Sequence, residues 1–190
     1  MPHRFSSLRA MICIVSVAIG LCFSTGAFAR SESEIKAFYL YNFIKFVTWP
    51  DEPTTADIKI CIAGDNPFSA MTDKLNARKV RNRQISVQSE RLSSVNYSGG
   101  SLAASADFAD CSVLFLGASE ENFYVALVDD LGDSPVLTIS DIDGFIDDGG
   151  MIGFIKVGNV VRFDINLKKA RKAGLKMSAK LLELANRVEQ

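Results

Sequence analysis

The sequence predicts an α/β domain with a Rossmann-like, mainly parallel sheet, an antiparallel C-terminal hairpin and helices on both faces. Three observations carry that expectation. Strand-like and helix-like segments alternate through most of the chain, the pattern of parallel strands joined by crossovers. The run Ser112-Val113-Leu114-Phe115-Leu116-Gly117 is apolar without a break, as in a strand covered on both faces. Near the end the alternation stops, and residues 151–157 and 160–165 face each other across Gly158-Asn159, a hairpin by spacing and turn chemistry.

The first thirty residues stand apart. Arg4 and Arg9 precede an apolar run from Ala10 to Phe23, which is followed by Ala27-Phe28-Ala29, and no acidic residue occurs before Glu32. A charged start, a short apolar middle and a small-residue site are the three parts of a secretory signal peptide. The run is shorter than the ~20 apolar residues that cross a bilayer. Residues 1–29 therefore read as a cleaved signal peptide, with cleavage after Ala29, and residues 30–190 as a single exported domain. No second hydrophobic stretch of spanning length follows, so the mature chain is expected to be soluble.

Removing that segment changes the chemistry on offer. The full chain has 21 basic and 22 acidic residues; without Arg4 and Arg9 the balance becomes 19 to 22, a net charge near −3. A mildly acidic exported domain is poorly suited to nucleic acid, whose binding depends on neutralising phosphates. His3, the one histidine, also leaves, as do Cys13 and Cys22. Hydrolases that need an imidazole base are thereby excluded, as are zinc sites built on His or several Cys. No cofactor is expected.

The mature domain opens on Ser31-Glu32-Ser33-Glu34, the spacing of a capping box. A helix follows over residues 32–47 and stops at Trp49-Pro50, since proline disfavours helix in the residue before it. Ile35, Phe38, Tyr39, Phe43 and Phe46 make one apolar face, and Ala37, Leu40, Tyr41 and Ile44 another. A helix apolar nearly all round is buried on more than one side. Its second face meets either its own core or another chain.

Ile58-Lys59-Ile60-Cys61-Ile62-Ala63-Gly64 is an alternating strand ending in glycine. Asp65-Asn66-Pro67 then starts a helix, with Pro67 suited to its first position. Residues 84–88 read as a second strand, and residues 93–106 as a loop with a weak helix. The strand over 112–117 leads to a helix over 119–131 and a strand over 136–139. After the hairpin come helices over 167–173 and 176–188, divided by Gly174; in the last, Ser178, Leu181, Ala185 and Val188 form an inward stripe.

Few motifs carry chemistry. Gly64-Asp65-Asn66-Pro67 sits where dinucleotide-binding enzymes place glycines, but neither G-x-G-x-x-G nor a Walker sequence is present, so it reads as an ordinary βα turn. Asp141-Ile142-Asp143-Gly144 with Asp147 and Asp148 suggests a calcium loop. Aligned on Gly144, however, the first and twelfth ligand positions fall on Ile139 and Gly150, which offer no carboxylate. A solvated acidic loop is the better reading, and an acid/base pair at Asp141 and Asp143 has no visible partner. Lys168, Lys169, Arg171 and Lys172 suit a helix C-terminus. Arg162, on an otherwise apolar strand, faces either solvent or an anion-binding cleft. Cys61 and Cys111, an even pair in an exported chain, favour a disulfide, the alternative being two separate buried thiols.

Taken together, several blocks resemble the YfiR-like family of periplasmic regulators. They are Ala37-Phe38-Tyr39-Leu40-Tyr41-Asn42-Phe43-Ile44-Lys45-Phe46 with Trp49-Pro50, Ile60-Cys61-Ile62-Ala63-Gly64, Cys111-Ser112-Val113-Leu114-Phe115, Gly144-Phe145, Gly149-Gly150-Met151-Ile152, Val161-Arg162-Phe163-Asp164-Ile165-Asn166-Leu167, Gly174-Leu175 and Leu181-Leu182-Glu183-Leu184-Ala185. The resemblance implies a Rossmann-like periplasmic protein, often dimeric, that binds the periplasmic part of an inner-membrane diguanylate cyclase and holds it inactive. That lowers cyclic di-GMP and biofilm formation, and an outer-membrane lipoprotein draws the repressor away. It implies Cys61–Cys111 as the matching redox-sensitive pair. Some relatives have four mature cysteines, and this chain has two. Other members serve beside other membrane-bound sensors. On this reading Phe38, Tyr41, Ile44, Lys45 and Trp49, with residues 144–151, form a partner or dimer surface. The rival reading is an adaptor that senses a small molecule, such as a nucleotide or aromatic amino acid, in a pocket near Phe145, Arg162 and Asn166.

Overall fold

A computed structural model describes residues 31–50, 56–90, 97–98, 101–102 and 108–190. Residues 1–30, where the signal peptide is expected, and most of residues 93–106 lie outside the described residues. Ser31–Gln190 form one compact unit.

Helix α1, Glu32–Phe46, begins in the expected capping box: Glu34 N donates to Ser31 Oγ at 3.2 Å, and Ser31 N to Glu34 Oε2 at 3.0 Å. The helix ends before β1, Val47–Thr48. The remaining elements are β2 Ile58–Ala63, a 3-10 turn at Ser69–Met71, α2 Thr72–Asn76, β3 Lys79–Val80, β4 Arg83–Glu90, β5 Tyr97–Ser98, β6 Ser101–Leu102 and β7 Val113–Leu116. They continue with α3 Tyr124–Leu131, β8 Leu137–Ser140, β9 Ile152–Val157, β10 Val160–Asn166, α4 Leu167–Lys172, β11 Lys176–Met177, α5 Ala179–Leu184 and β12 Arg187–Glu189.

The main sheet has eight strands in the order β12-β10-β9-β8-β7-β2-β4-β3. Pairing is parallel from β4 through β2, β7 and β8 to β9, and antiparallel at the β9–β10 hairpin and between β3 and β4. This is the mixed, mostly parallel α/β sheet expected from the sequence. Its central strands are buried on both faces because successive side chains point to opposite sides. Ile58, Ile60 and Ile62 of β2 and Val113 and Phe115 of β7 join a core under α1, α2, α4 and α5. Cys61, Ala63, Leu114 and Leu116 join a second core under α3.

Three local features differ from expectation. Pro67 does not open a helix; Asn66 Oδ1 accepts from Phe68 N at 2.7 Å, and the chain makes the 3-10 turn before α2. Strand β4 is longer than residues 84–88: β3 pairs with its start across Arg81-Asn82, both at positive φ (51° and 65°), which gives the twist a two-residue hairpin needs, and β2 pairs with its end as far as Ala63↔Glu90. Within residues 93–106 the described part is a β5–β6 hairpin, with Tyr97 opposite Leu102, inside the expected loop; the weak helix expected there lies outside the described residues. The last helix stops at Leu184, and Arg187–Glu189 pair in parallel with β10. Asn186 Nδ2 donates to Asp164 Oδ1 at 2.9 Å and Arg187 Nε to Asp164 Oδ2 at 3.3 Å, so polar contacts to a buried aspartate pull the tail into the sheet. Ser178 is consequently the N-cap of a short helix, and Val188 belongs to a strand.

Candidate functional site

In open α/β sheets ligands bind beyond the carboxyl ends of the parallel strands. Here β7 and β8 end at Leu116 and Ser140, and the first two turns of α1 lie over the chain that leaves them. Lys36, one of two lysines that interrupt the apolar helix, is 90% buried at its side chain, and its Nζ reaches Asp141 Oδ2 at 2.7 Å and Glu32 Oε1 at 2.8 Å. Lys156 Nζ, from β9, meets the other oxygen of Glu32 at 2.6 Å. These charges rim a cavity of about 220 Å³ whose apolar wall includes Phe154, Ile155 and Val161.

The electrostatics follow from this chain of pairs. Hydrogen bonds from Lys156 and then Lys36 hold the Glu32 carboxyl below its ordinary range. Burial works against the Lys36 ammonium, but hydrogen bonds and charge attraction from Asp141 and Glu32 outweigh it and raise its pKa. Lys36 is thus held as a cation and is no general base. Asp141 Oδ1 is buried and has no hydrogen-bond partner among the described residues. A buried acceptor without a partner costs free energy.

At the neighbouring strand end, Gly64 (φ 82°) turns the chain, and a Cβ there would lie 2.3 Å from Ser119 Oγ. That hydroxyl accepts from Asp65 N at 3.0 Å. The βα turn is packed against its neighbour, consistent with the absence of a phosphate-binding motif.

The expected pocket of Phe145, Arg162 and Asn166 does not form. Phe145 is buried, its ring tilted against that of Tyr124 with centres 5.7 Å apart. Asn166 Nδ2 donates to Ile146 O at 3.0 Å, while its Oδ1 accepts from Lys169 N at 2.9 Å and caps α4. Arg162 is solvent-exposed and lies four residues along β10 from Asn166, about 13 Å at the rise of a strand. A cavity of about 140 Å³ beside Phe145 is lined by Asp147, Asp164 and Arg187, not by Arg162 or Asn166.

The α1 surface residues divide. Phe38 is 56% exposed, Lys45 is exposed and Tyr41 half-buried, while Ile44 is 0% exposed and belongs to the protein's own core. Helical geometry decides this: Ile44 lies beside Leu40 and Ala37, the side that meets the sheet. Trp49 is half-buried and donates from Nε1 to Ser112 O at 3.0 Å, pinning the end of β1 to the start of β7. Arg81 donates to Ile44 O and Lys45 O at 3.3 Å and to Val47 O at 3.2 Å, closing the carbonyl end of α1.

In the loop over residues 144–151, Arg187 Nη2 reaches Asp147 Oδ1 at 2.8 Å and Tyr124 donates to Asp148. Among the described residues no three His, Cys, Asp or Glu side chains converge as metal ligands would. Cys61 and Cys111 form a disulfide, with Cα atoms 6.0 Å apart. Among the described residues no helix is long and apolar enough to cross a membrane.

The sequence reading missed Glu32, Lys36 and Lys156. Two signals were legible: a lysine inside an otherwise apolar helix, and an aspartate directly after a strand. Their convergence across 105 residues was not.

The fold and this site define a three-layer α/β domain whose parallel-strand ends carry a charged, half-enclosed cavity. The family model described as YfiR/HmsC-like matches residues 33–186, and the chain belongs to that family, which is regulatory rather than catalytic. Among solved structures it is similar to a conserved domain protein from Vibrio cholerae O1 biovar eltor (TM-score 0.54, 9% identity, covering 84% of this chain). The chain spans 60% of that protein's length. It is also similar to an ABC domain from Streptococcus pneumonia solved in complex with L-Trp (TM-score 0.48, 10% identity, covering 71% of this chain and 55% of that one).

Proposed function

We propose that this protein is exported to the periplasm, binds the periplasmic part of an inner-membrane signalling protein, a diguanylate cyclase in first place, and holds it inactive. Cyclic di-GMP and biofilm formation fall as a result. An outer-membrane lipoprotein that competes for the repressor, and a homodimer, belong to the same proposal. Family membership supports the regulatory role. The observation that carries a protein-binding mechanism is the set of large apolar side chains left in solvent. Phe38 on α1 is 56% exposed, and Val157 and Val160 at the tip of the β9–β10 hairpin are 51% and 53% exposed. Such side chains gain most from burial against a partner.

The test is cellular cyclic di-GMP in the native host with the gene intact, deleted and restored. The level rises on deletion and falls on restoration. Phe38→Asp and Val160→Asp variants keep their fold and fail to restore it. An unchanged level on deletion, with expression verified, removes the cyclase from the proposal.

A second reading, an adaptor that senses a small molecule, rests on the charged cavity lined by Lys36 and Asp141, whose Oδ1 is buried without a partner among the described residues. A ligand that binds only the native state raises the melting temperature. A panel of nucleotides and amino acids tests this, and no shift at millimolar concentration for any of them counts against it.

A further inference from the structure

Charge is distributed along this chain in blocks. Residues 92–155 contain eleven acidic residues and no Lys, Arg or His, whereas residues 156–190 contain nine basic residues and three acidic ones. The fold converts the blocks into a polarity across the sheet. On one face, α3 and the turn before it expose Glu121, Asp129 and Asp130. On the other, α4, β11 and α5 expose Lys168, Arg171, Lys172, Lys176 and Lys180.

On this basic side the outer edge of α1 meets α5, and cations sit directly on aromatic rings. Lys45 Nζ lies 5.6 Å from the centre of the Tyr41 ring and 5.9 Å from that of Phe46. Arg78 lies 5.6 Å from Tyr41, and Lys180 5.7 Å from Phe46. Leu184, one helical turn beyond Lys180, is 52% exposed. Both rings are only half-buried. The result is a continuous strip in which long cationic stems alternate with rings and a leucine. Glu183 is the acidic residue of α5 beside it.

We propose that this strip docks on an anionic phospholipid bilayer, with Lys45, Arg78 and Lys180 meeting headgroup phosphates and Tyr41, Phe46 and Leu184 entering the headgroup layer. Rings and long-stemmed cations are the side chains suited to that boundary, since each has an apolar body and a polar or charged end. The acidic α3 face is repelled by the same surface, so the polarity across the sheet sets the orientation. An acidic protein segment would satisfy the cations but gives no role to an exposed leucine and two half-exposed rings beside them. The inference goes beyond the regulatory reading and does not depend on it: a protein held at a bilayer meets a membrane-anchored partner by diffusion in two dimensions, whatever that partner is.

The test is co-sedimentation of residues 30–190, which include the whole compact unit, with vesicles of phosphatidylcholine alone or mixed with phosphatidylglycerol. Binding to the anionic vesicles is expected at about 0.01 M salt and is lost at about 1 M, where the Debye length falls from about 30 to about 3 Å. Each of K45Q, R78Q and K180Q weakens it about fivefold, L184S weakens it too, and melting temperatures stay unchanged. The charge-conserving set K45R, R78K and K180R retains binding, which separates lost charge from lost fold. No binding to anionic vesicles at low salt overturns the proposal, as does equal binding to neutral vesicles. Polyglutamate bound as tightly as the vesicles assigns the strip to an acidic protein instead. Failure on any of these counts leaves the cyclic di-GMP result untouched, so the two proposals fall separately.

Discussion

Breaking the Cys61–Cys111 bond tests how the domain is held together. Cys61 lies within β2 and Cys111 just before β7, both sulfurs are in the core under α3, and the bond closes 50 residues. In the chain-entropy account a loop of that length stabilises the native state by about 4 kcal/mol, because the open chain has more conformations to lose. The native register has other support: Ser112 N donates to Lys59 O at 3.0 Å, and β2 pairs with β7 from Ile60↔Val113 to Ala63↔Leu116. Reduction therefore leaves the fold in place and acts mainly on the unfolded ensemble. With a urea slope of about 2 kcal/mol per molar, the midpoint moves down by about 2 M. The assay is urea unfolding of oxidised, reduced and C61A/C111A protein, read by the fluorescence of Trp49. The double variant falls slightly below the reduced protein, having also lost two buried sulfur atoms. A reduced protein that unfolds within about 0.5 M of the oxidised form would refute the argument, because a cross-link of this span should exceed that effect.

Three further outcomes are expected. Lys36→Met leaves Asp141 mostly buried beside the cavity without its cation, and costs about 3 kcal/mol in urea unfolding; a K36M/D141L double variant costs clearly less than the two single changes together. The hydrogen bond from Tyr124 to Asp148, with burial, raises the phenol pKa from 10.0 to about 12. A raised acid pKa means its contribution is complete below pH 10 and lost as pH rises through about 12, so one of the four tyrosines titrates late in ultraviolet absorbance and Tyr124→Phe removes that step. Gly150→Ala places a Cβ 2.2 Å from the Phe145 ring and lowers stability by about 1–3 kcal/mol by thermal or urea unfolding.

Local signals were legible where the chain satisfies itself with near neighbours. The capping box at Ser31 and Glu34, the end of α1 before Trp49-Pro50 and the Gly158-Asn159 hairpin involve residues a few positions apart, and all stand as the sequence implied. The apolar run before Gly117 likewise became a central strand buried on both faces. Where the reading missed, a distant partner outweighed local preference. Val188 lies on a good helical stripe, but Asp164 is buried in β10 with acceptors to satisfy, and Asn186 and Arg187 supply the donors. Ile44 reads equally well as surface or core in a helix apolar on nearly every side, and packing on the sheet made it core.

By itself the sequence determined the class of fold, six of the eight strands of the main sheet in chain order, Cys61 and Cys111 as the cysteines beyond the first thirty residues, and a single histidine. Those properties rest on periodicity, turn residues and composition, all readable within a short window. Only the tertiary structure decided which charges meet. Lys36 and Asp141 are separated by 105 residues, and their 2.7 Å contact exists because α1 crosses the sheet where β8 ends. The same holds for Lys180 over Phe46: β1 pairs with β11, and that pairing carries α5 against the end of α1. Strand order and helix crossing bring distant residues together, and no local pattern encodes them.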